Sequence, residues 1–278
     1  MRREAVTGSE GKVCTQAMSG VVQVKMLGRF GNQCMQYLFA RAHAERVGAR
    51  FYCEEWVGEQ VFNIPKHGRY DYSGKYGAAE LPVRSELDLG PDETDVCIRG
   101  YAQNPHAMIY TKEWAREVLK LKIPPEVVFS DPGPERGLAV IQTVSNDKVV
   151  AHHRAGDYYG YGYPVVSLLS IGAEAERIWP KAHLSVLSEE HPTPHGRLPS
   201  HLSFLPDFYR MVMAPCLMRA NSTFSWVAAL LNRSGRVFSP VIDGKEGGRE
   251  HYCTFVEGNW PRLSNLEGCG ELRLKGET

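Results

Sequence analysis

The sequence predicts an α/β protein with two Rossmann-like halves, and three observations carry that expectation. Short β-branched runs alternate with segments of helical apolar spacing along most of the chain. Small or glycine-bearing polar turns separate strand from helix in both halves. A proline-rich stretch, Pro124 to Arg136, interrupts the alternation with four prolines, after which it restarts.

The first half opens on Val21 to Met26, a partly alternating strand pattern. The turn Leu27 to Asn32 follows, and then Met35, Leu38, Phe39 and Ala42 recur at helical spacing up to Gly48. Arg50 to Cys53 reads as a second strand, which completes a β-α-β unit. From Glu54 to Glu93 no period holds, and loops with short elements are expected near the acceptor side of a cleft. Asp95 to Tyr101 returns to a strand pattern, and Thr111 caps a helix expected to run through Leu121. In the second half, strands are expected over Lys148 to His153, His183 to Leu187, Leu217 to Ala220 and Val237 to Pro240. Helices are expected over Ser167 to Ile178, Phe204 to Met213 and Phe224 to Leu231. Two such series imply a tail over 1–20 and domains over 21–135 and 136–278, with ligands beyond the carboxyl ends of the strands.

Composition narrows the function classes. The 278 residues suit one large domain or two modest ones. With 43% hydrophobic and 23% charged residues, a chain disordered throughout is excluded. Lys+Arg and Asp+Glu both number 32, so the basic excess that nucleic acid attracts is missing. No apolar run approaches the roughly 18–20 residues of a membrane span, and Met1 to Gly20 lacks the apolar core of a signal peptide. A cytoplasmic protein is expected, with peripheral membrane association left open. Seven cysteines, widely spaced and without a C-x-x-C pair, fit neither a zinc framework nor a disulfide scaffold.

Three polar clusters stand at expected strand ends. In Gly28 to Gln33, glycines permit close approach, the helix start offers free N–H groups, and Arg29 and Asn32 add donors. The packing alternative is a tight turn capped by Asn32. No G-x-G-x-x-G and no G-x-x-x-x-G-K-[ST] occurs, so neither a dinucleotide dehydrogenase nor a P-loop NTPase is supported. The second cluster is His152 to Tyr158, where alternation puts His152 and Arg154 on one side and His153 on the other. Arg154 has the fork that grips phosphate, and nothing nearby completes a metal site. The alternative has these side chains bonding backbone, with Asp157 making a turn. The third cluster is Asn221 to Trp226, where Ser222 or Thr223 caps a helix, the same geometry grips a pyrophosphate, and Phe224 packs near a base. A fourth, Ser188 to Glu190, offers the Glu190 carboxylate to a purine edge, or two solvated acids in a loop.

In this order the clusters resemble the family 11 glycosyltransferases, the α-1,2-fucosyltransferase group. The family's opening block is matched by Gly28, Phe30, Gly31, Asn32, Gln33, Gln36 and Tyr37. Its H-x-R-R-G-D-Y block is matched by His152, Arg154, Gly156, Asp157 and Tyr158, with Ala155 in place of the second arginine. Its N-S-[ST]-F-S-W-W-A-A block is matched from Asn221 to Ala229, with Val227 in place of the second tryptophan. Glu189 and Glu190 stand where the family shows two aspartates. Gly100-Tyr101-x-Gln103 and Asn259-Trp260-Pro261 are further landmarks.

The resemblance implies a GT-B fold, GDP-fucose as donor, a glycan acceptor such as a terminal β-galactoside, inversion, and no metal cofactor. No D-x-D pair occurs to hold a divalent ion, which leaves cationic side chains to meet the charge of departing GDP. Carried onto this chain, Arg154 stabilises the leaving group and Asp157 is the candidate base. Arg29, Gly31, Asn32, His152, Glu190, Asn221, Ser222, Thr223 and Phe224 line the donor site. The same scaffold with another nucleotide sugar, or a binding module without catalysis, are the alternatives.

Overall fold

The computed structural model describes residues 20–71, 80–103, 107–123, 149–189, 199–233, 235–242 and 244–259. Residues 1–19 of the tail expected over 1–20, the boundary at 135/136, Glu190, Trp260 and Pro261 lie outside the described residues.

The first half is built on a four-stranded parallel sheet. Strand β1 (Val21–Val24) leads through helix α1 (Phe30–Val47) to β2 (Arg50–Cys53). A four-residue helix α2 (Gly58–Val61), β3 (Val83–Arg84), β4 (Val96–Ile98) and α3 (Lys112–Val118) follow. The sheet order is β2-β1-β4-β3. Helix α1 stops where Gly48 takes φ 65°, a left-handed position that glycine occupies without cost, and its N–H returns to the carbonyls of the last turn. Thr111 caps α3 as expected, accepting from Trp114 N at 3.2 Å, but the helix ends before Leu119, short of Leu121.

The second half repeats the plan. Strand β5 (Val149–His153) is followed by α4 (Gly156–Tyr161), β6 (Val165–Val166), α5 (Leu168–Ile178) and β7 (Leu184–Ser188). Then come α6 (Leu205–Met213), β8 (Cys216–Met218), α7 (Thr223–Leu231) and β9 (Arg236–Pro240). Short β10 (Glu250–His251) pairs with β6, and β11 (Phe255–Glu257) is the antiparallel edge of a sheet ordered β11-β9-β8-β5-β7. Helix α4 has no counterpart in the sequence reading, which expected only a turn at Asp157; it buries no residue and so leaves no apolar period to read.

Both sheets are wound outward from a central strand, β1 in one and β5 in the other. In each, the chain runs to one side and later returns to the other. Ligand sites in such sheets open where the winding direction switches, beyond the carboxyl ends of the two central strands. Here those places are the ends of β1 and β4, and of β5 and β8.

One apolar core joins the halves. Val22, Leu38 and Ile98 of the first belong to the same cluster as Val150, Leu217 and Trp226 to Leu231 of the second. Helix α7 is buried from Ser225 to Leu231, as a helix apolar on all sides must be, and it packs on α1. A Cβ at Gly31 would stand 2.5 Å from Phe224 N, so α1 approaches α7 this closely only through a glycine. Arg116 of α3 fastens the other end of α7, donating to the carbonyls of Leu230 at 2.7 Å and Asn232 at 2.5 Å. A second cluster, with Val149, Ala151, Ile171, Met218 and Phe238, fills the opposite face of the second sheet. Val149 and Val150 thus face opposite clusters, which puts His152 on the side turned toward the first half.

Candidate functional site

The loops that leave the two switch points meet. After β1 comes Arg29, which lies in extended conformation just before α1. After β4 comes Gln103, positioned by Ala102 in the left-handed region at φ 51°, an unusual conformation for a residue with a side chain. After β5 come Arg154 and Asp157, and after β8 come Arg219 to Ser222.

Four charged side chains close a square across the junction. Arg29 Nη2 donates to Asp157 Oδ2 at 2.9 Å, and Arg29 Nη1 to Glu189 Oε1 at 2.9 Å. Arg154 Nη1 donates to that same Glu189 oxygen. Arg154 Nη2 lies 2.7 Å from Asp157 Oδ1, an ion pair without hydrogen-bond alignment, and Arg154 Nε has no hydrogen-bond partner. Two guanidinium groups therefore face two carboxylates, and the group is neutral as a whole. Its members differ in access: the Arg29 side chain is 64% exposed and that of Arg154 13%. Arg29 makes its contacts from the solvent side, whereas Arg154 makes its own largely enclosed. Gly156 makes room for this pairing, because a Cβ there would collide with Glu189 Oε2.

A neutral network lies beside the square. Asn32 Oδ1 accepts from Gln103 Nε2 at 2.8 Å and from Thr223 Oγ1 at 2.6 Å, tying both sheets to the start of α1. Ser222 caps α7, accepting from Phe224 N at 3.3 Å. Tyr158 donates its hydroxyl to the carbonyl of Asn221, and burial pushes that phenol up to about 12. The Arg154 guanidinium stands 5.3 Å from the Tyr158 ring centre, within cation–π range.

His152 is buried, its Nδ1 has no hydrogen-bond partner, and its ring lies 5.7 Å from that of Phe224. Burial first, then the charges of Arg154 and other cations, pull its pKa down to about 3, so it is a neutral imidazole at pH 7. Arg219, fully enclosed at the end of β8, donates to Ser239 Oγ at 2.8 Å and to the Ala220 carbonyl at 2.9 Å. Burial pulls its pKa down to about 9, which still leaves a cation behind Asn221 at neutral pH.

The structure thus gathers Arg29, Arg154 and Asp157 in one cluster, with Asn32, Thr223 and Asn221 beside it. Three expected donor-site residues are engaged in packing or capping. The space over Gly31 is filled by the backbone of Thr223 and Phe224, so this glycine serves helix packing. Phe224 is engaged by Phe30, Phe204 and Phe208, with ring centres at 6.3, 6.0 and 5.5 Å. Ser222 spends its side chain on the α7 cap. Glu190 lies outside the described residues, and its neighbour Glu189 is the acid that reaches the arginines. Sequence reasoning missed the part played by Glu189 and also Arg219; a lone arginine inside an apolar strand string was the available signal for the latter.

No helix among the described residues is long and apolar enough to cross a membrane. No protein-family model matches the chain, and no curated protein matches it. Among solved structures, the chain is similar to an Arabidopsis thaliana FUT1 mutant in complex with GDP. The TM-score is 0.44 and the identity 11%, over 79% of this chain and 69% of that one.

Proposed function

We propose that this chain is an inverting glycosyltransferase of the GT-B type that moves L-fucose from GDP-fucose to a glycan hydroxyl, the 2-OH of a terminal β-galactoside, without a metal. The observation that carries the reading is the pair Arg29 and Arg154. They stand at the facing switch points of two Rossmann-like sheets, each with a forked donor aimed at one shared oxygen. A diphosphate presents oxygens in the arrangement that such forks satisfy, and it carries the charge that would release them from Glu189 and Asp157. The three sequence blocks that resemble the family 11 enzymes converge on this same junction.

The chemistry follows from charge. As the bond between the sugar C1 and the β-phosphate oxygen breaks, its electron pair stays on that oxygen. Arg154, largely enclosed, meets the developing charge, and Arg29 adds a second, exposed donor. The acceptor hydroxyl attacks C1 from the opposite face and yields its proton to Asp157. In the structure both Asp157 oxygens face guanidinium groups, so the carboxylate becomes available as a base through Oδ2, once a diphosphate has drawn Arg29 away while Arg154 stays beside Oδ1.

A second reading, a nucleotide-binding module without transfer, is favoured by that same self-neutralised square. Calorimetric titrations with GDP, UDP and ADP, followed by a transfer assay with GDP-fucose, separate the two. Preference for GDP with turnover supports transfer of fucose. GDP binding without turnover on any β-galactoside supports the module. Preference for UDP rejects GDP-fucose as donor.

A further inference from the structure

We infer that a row of tyrosine rings, Tyr158 and Tyr161 on α4 and Tyr163 just beyond it, forms a platform for a pyranose ring of the glycan that is modified. The row starts at the candidate catalytic arginine. Arg154 lies 5.3 Å from the Tyr158 ring, Tyr158 lies 5.1 Å from Tyr163, and Tyr163 lies 6.3 Å from Tyr161. The inner end is fixed, since Tyr158 is hydrogen-bonded to the Asn221 carbonyl. The outer end is open: Tyr161 is 70% exposed and Tyr163 38%.

Three features fit a sugar. Asp157 and Tyr161 are four residues apart on one helix, which places them on the same face, one turn from each other. A sugar ring lying on Tyr161 therefore brings its hydroxyls toward the Asp157 carboxylate. Tyr161 is flanked by exposed Gly160 and Gly162, so no side chain of these neighbours covers its ring. The surface is also amphipathic in the way a pyranose is. Its apolar ring faces suit the C–H face of the sugar, while phenol and carboxylate oxygens suit the hydroxyl rim. Helix α4 closes at Gly162, φ 70°, which fixes the backbone from which Tyr161 projects.

This inference rests on the transferase reading, and its test separates the two. The full chain, fluorescently labelled, is applied with GDP to an array of glycans that includes terminal β-galactosides. Tyr161→Ala and Tyr161→Phe are run beside the wild type, and GDP affinity and melting temperature are measured for all three. The expected result is a wild-type glycan signal that falls about tenfold in Tyr161→Ala and survives in Tyr161→Phe, with GDP affinity unchanged. Equal signals from wild type and Tyr161→Ala, or no glycan bound by the wild type, overturn the platform. A loss of GDP affinity in Tyr161→Ala overturns it in favour of a base-stacking role. Absence of GDP binding by the wild type overturns the nucleotide reading instead, and leaves the platform to be judged by the alanine–phenylalanine contrast.

Discussion

Arg29 reaches Glu189 across 160 positions of sequence, Nη1 to Oε1 at 2.9 Å, and it shares that oxygen with Arg154. One carboxylate oxygen thus occupies the point on which two guanidinium groups converge. In the proposed reaction a phosphate oxygen takes that point, so Glu189 competes with the ligand. Glu189→Gln removes the competing charge and keeps the shape. The expected outcome is GDP bound about fivefold more tightly than by the wild type, measured by calorimetry, in line with the worth of one partly exposed ion pair. Weaker binding in the variant would mean that Glu189 supports the arginines rather than blocking them.

Gly31→Ala tests the junction of the halves. The new methyl would stand 2.5 Å from Phe224 N and 2.7 Å from Phe224 Cα, backbone atoms that no rotamer change can move. Overpacking of this kind costs about 1–3 kcal/mol. The melting temperature is expected to fall by several degrees, whereas Gly160→Ala, which meets open space, stays near the wild type.

Acid sensitivity follows from two desolvated histidines, buried His152 and half-buried His67. His152 is held down to about 3 by burial and by neighbouring cations, and His67, bonded to Tyr37, is held down to about 4 mainly by burial. An ordinary histidine titrates near 6.5. Between pH 6.5 and these lower values the unfolded chain binds protons that the folded chain refuses, so stability is lost as the pH falls. For fully buried His152 the slope approaches about 1.4 kcal/mol per pH unit. Thermal melts from pH 7.5 to 5 are expected to show a falling midpoint, with a shallower fall in His152→Gln. A midpoint that rises on acidification would show that His152 is charged in the fold.

Asp157 and Arg154 are expected to separate kinetically. Arg154→Ala should lower transfer by about 10²–10³-fold while the protein stays folded, since a preorganised donor to the leaving group is gone. Asp157→Asn should lower turnover and abolish the acid limb of the pH–rate profile. A profile unchanged in shape in Asp157→Asn would reduce Asp157 to a partner of the arginines.

Much of this architecture was legible in the sequence, because strands such as Val21–Val24 and helices such as Ser167-capped α5 carry their own period and caps. The placement of Arg29 before α1 and of Arg154 after β5 was legible too, since both follow the strand ends directly. Helix α4 was not, because glycines and exposed tyrosines give no apolar stripe. Glu189 was passed over for Glu190 because choosing between adjacent acids depends on a contact with Arg29, which no local pattern encodes. Gly31 was read as space for a ligand, and only the approach of α7 from 190 residues onward reveals the packing it permits.

The central claim is that Arg154 stands in for a divalent ion against a diphosphate. Calorimetric titration of GDP in the presence of EDTA, into wild type and Arg154→Ala side by side, tests it most directly. Saturable binding by the wild type in EDTA, lost in Arg154→Ala with its fold intact, is the expected result. Equal binding by both proteins, or binding that returns only with added manganese, would contradict it.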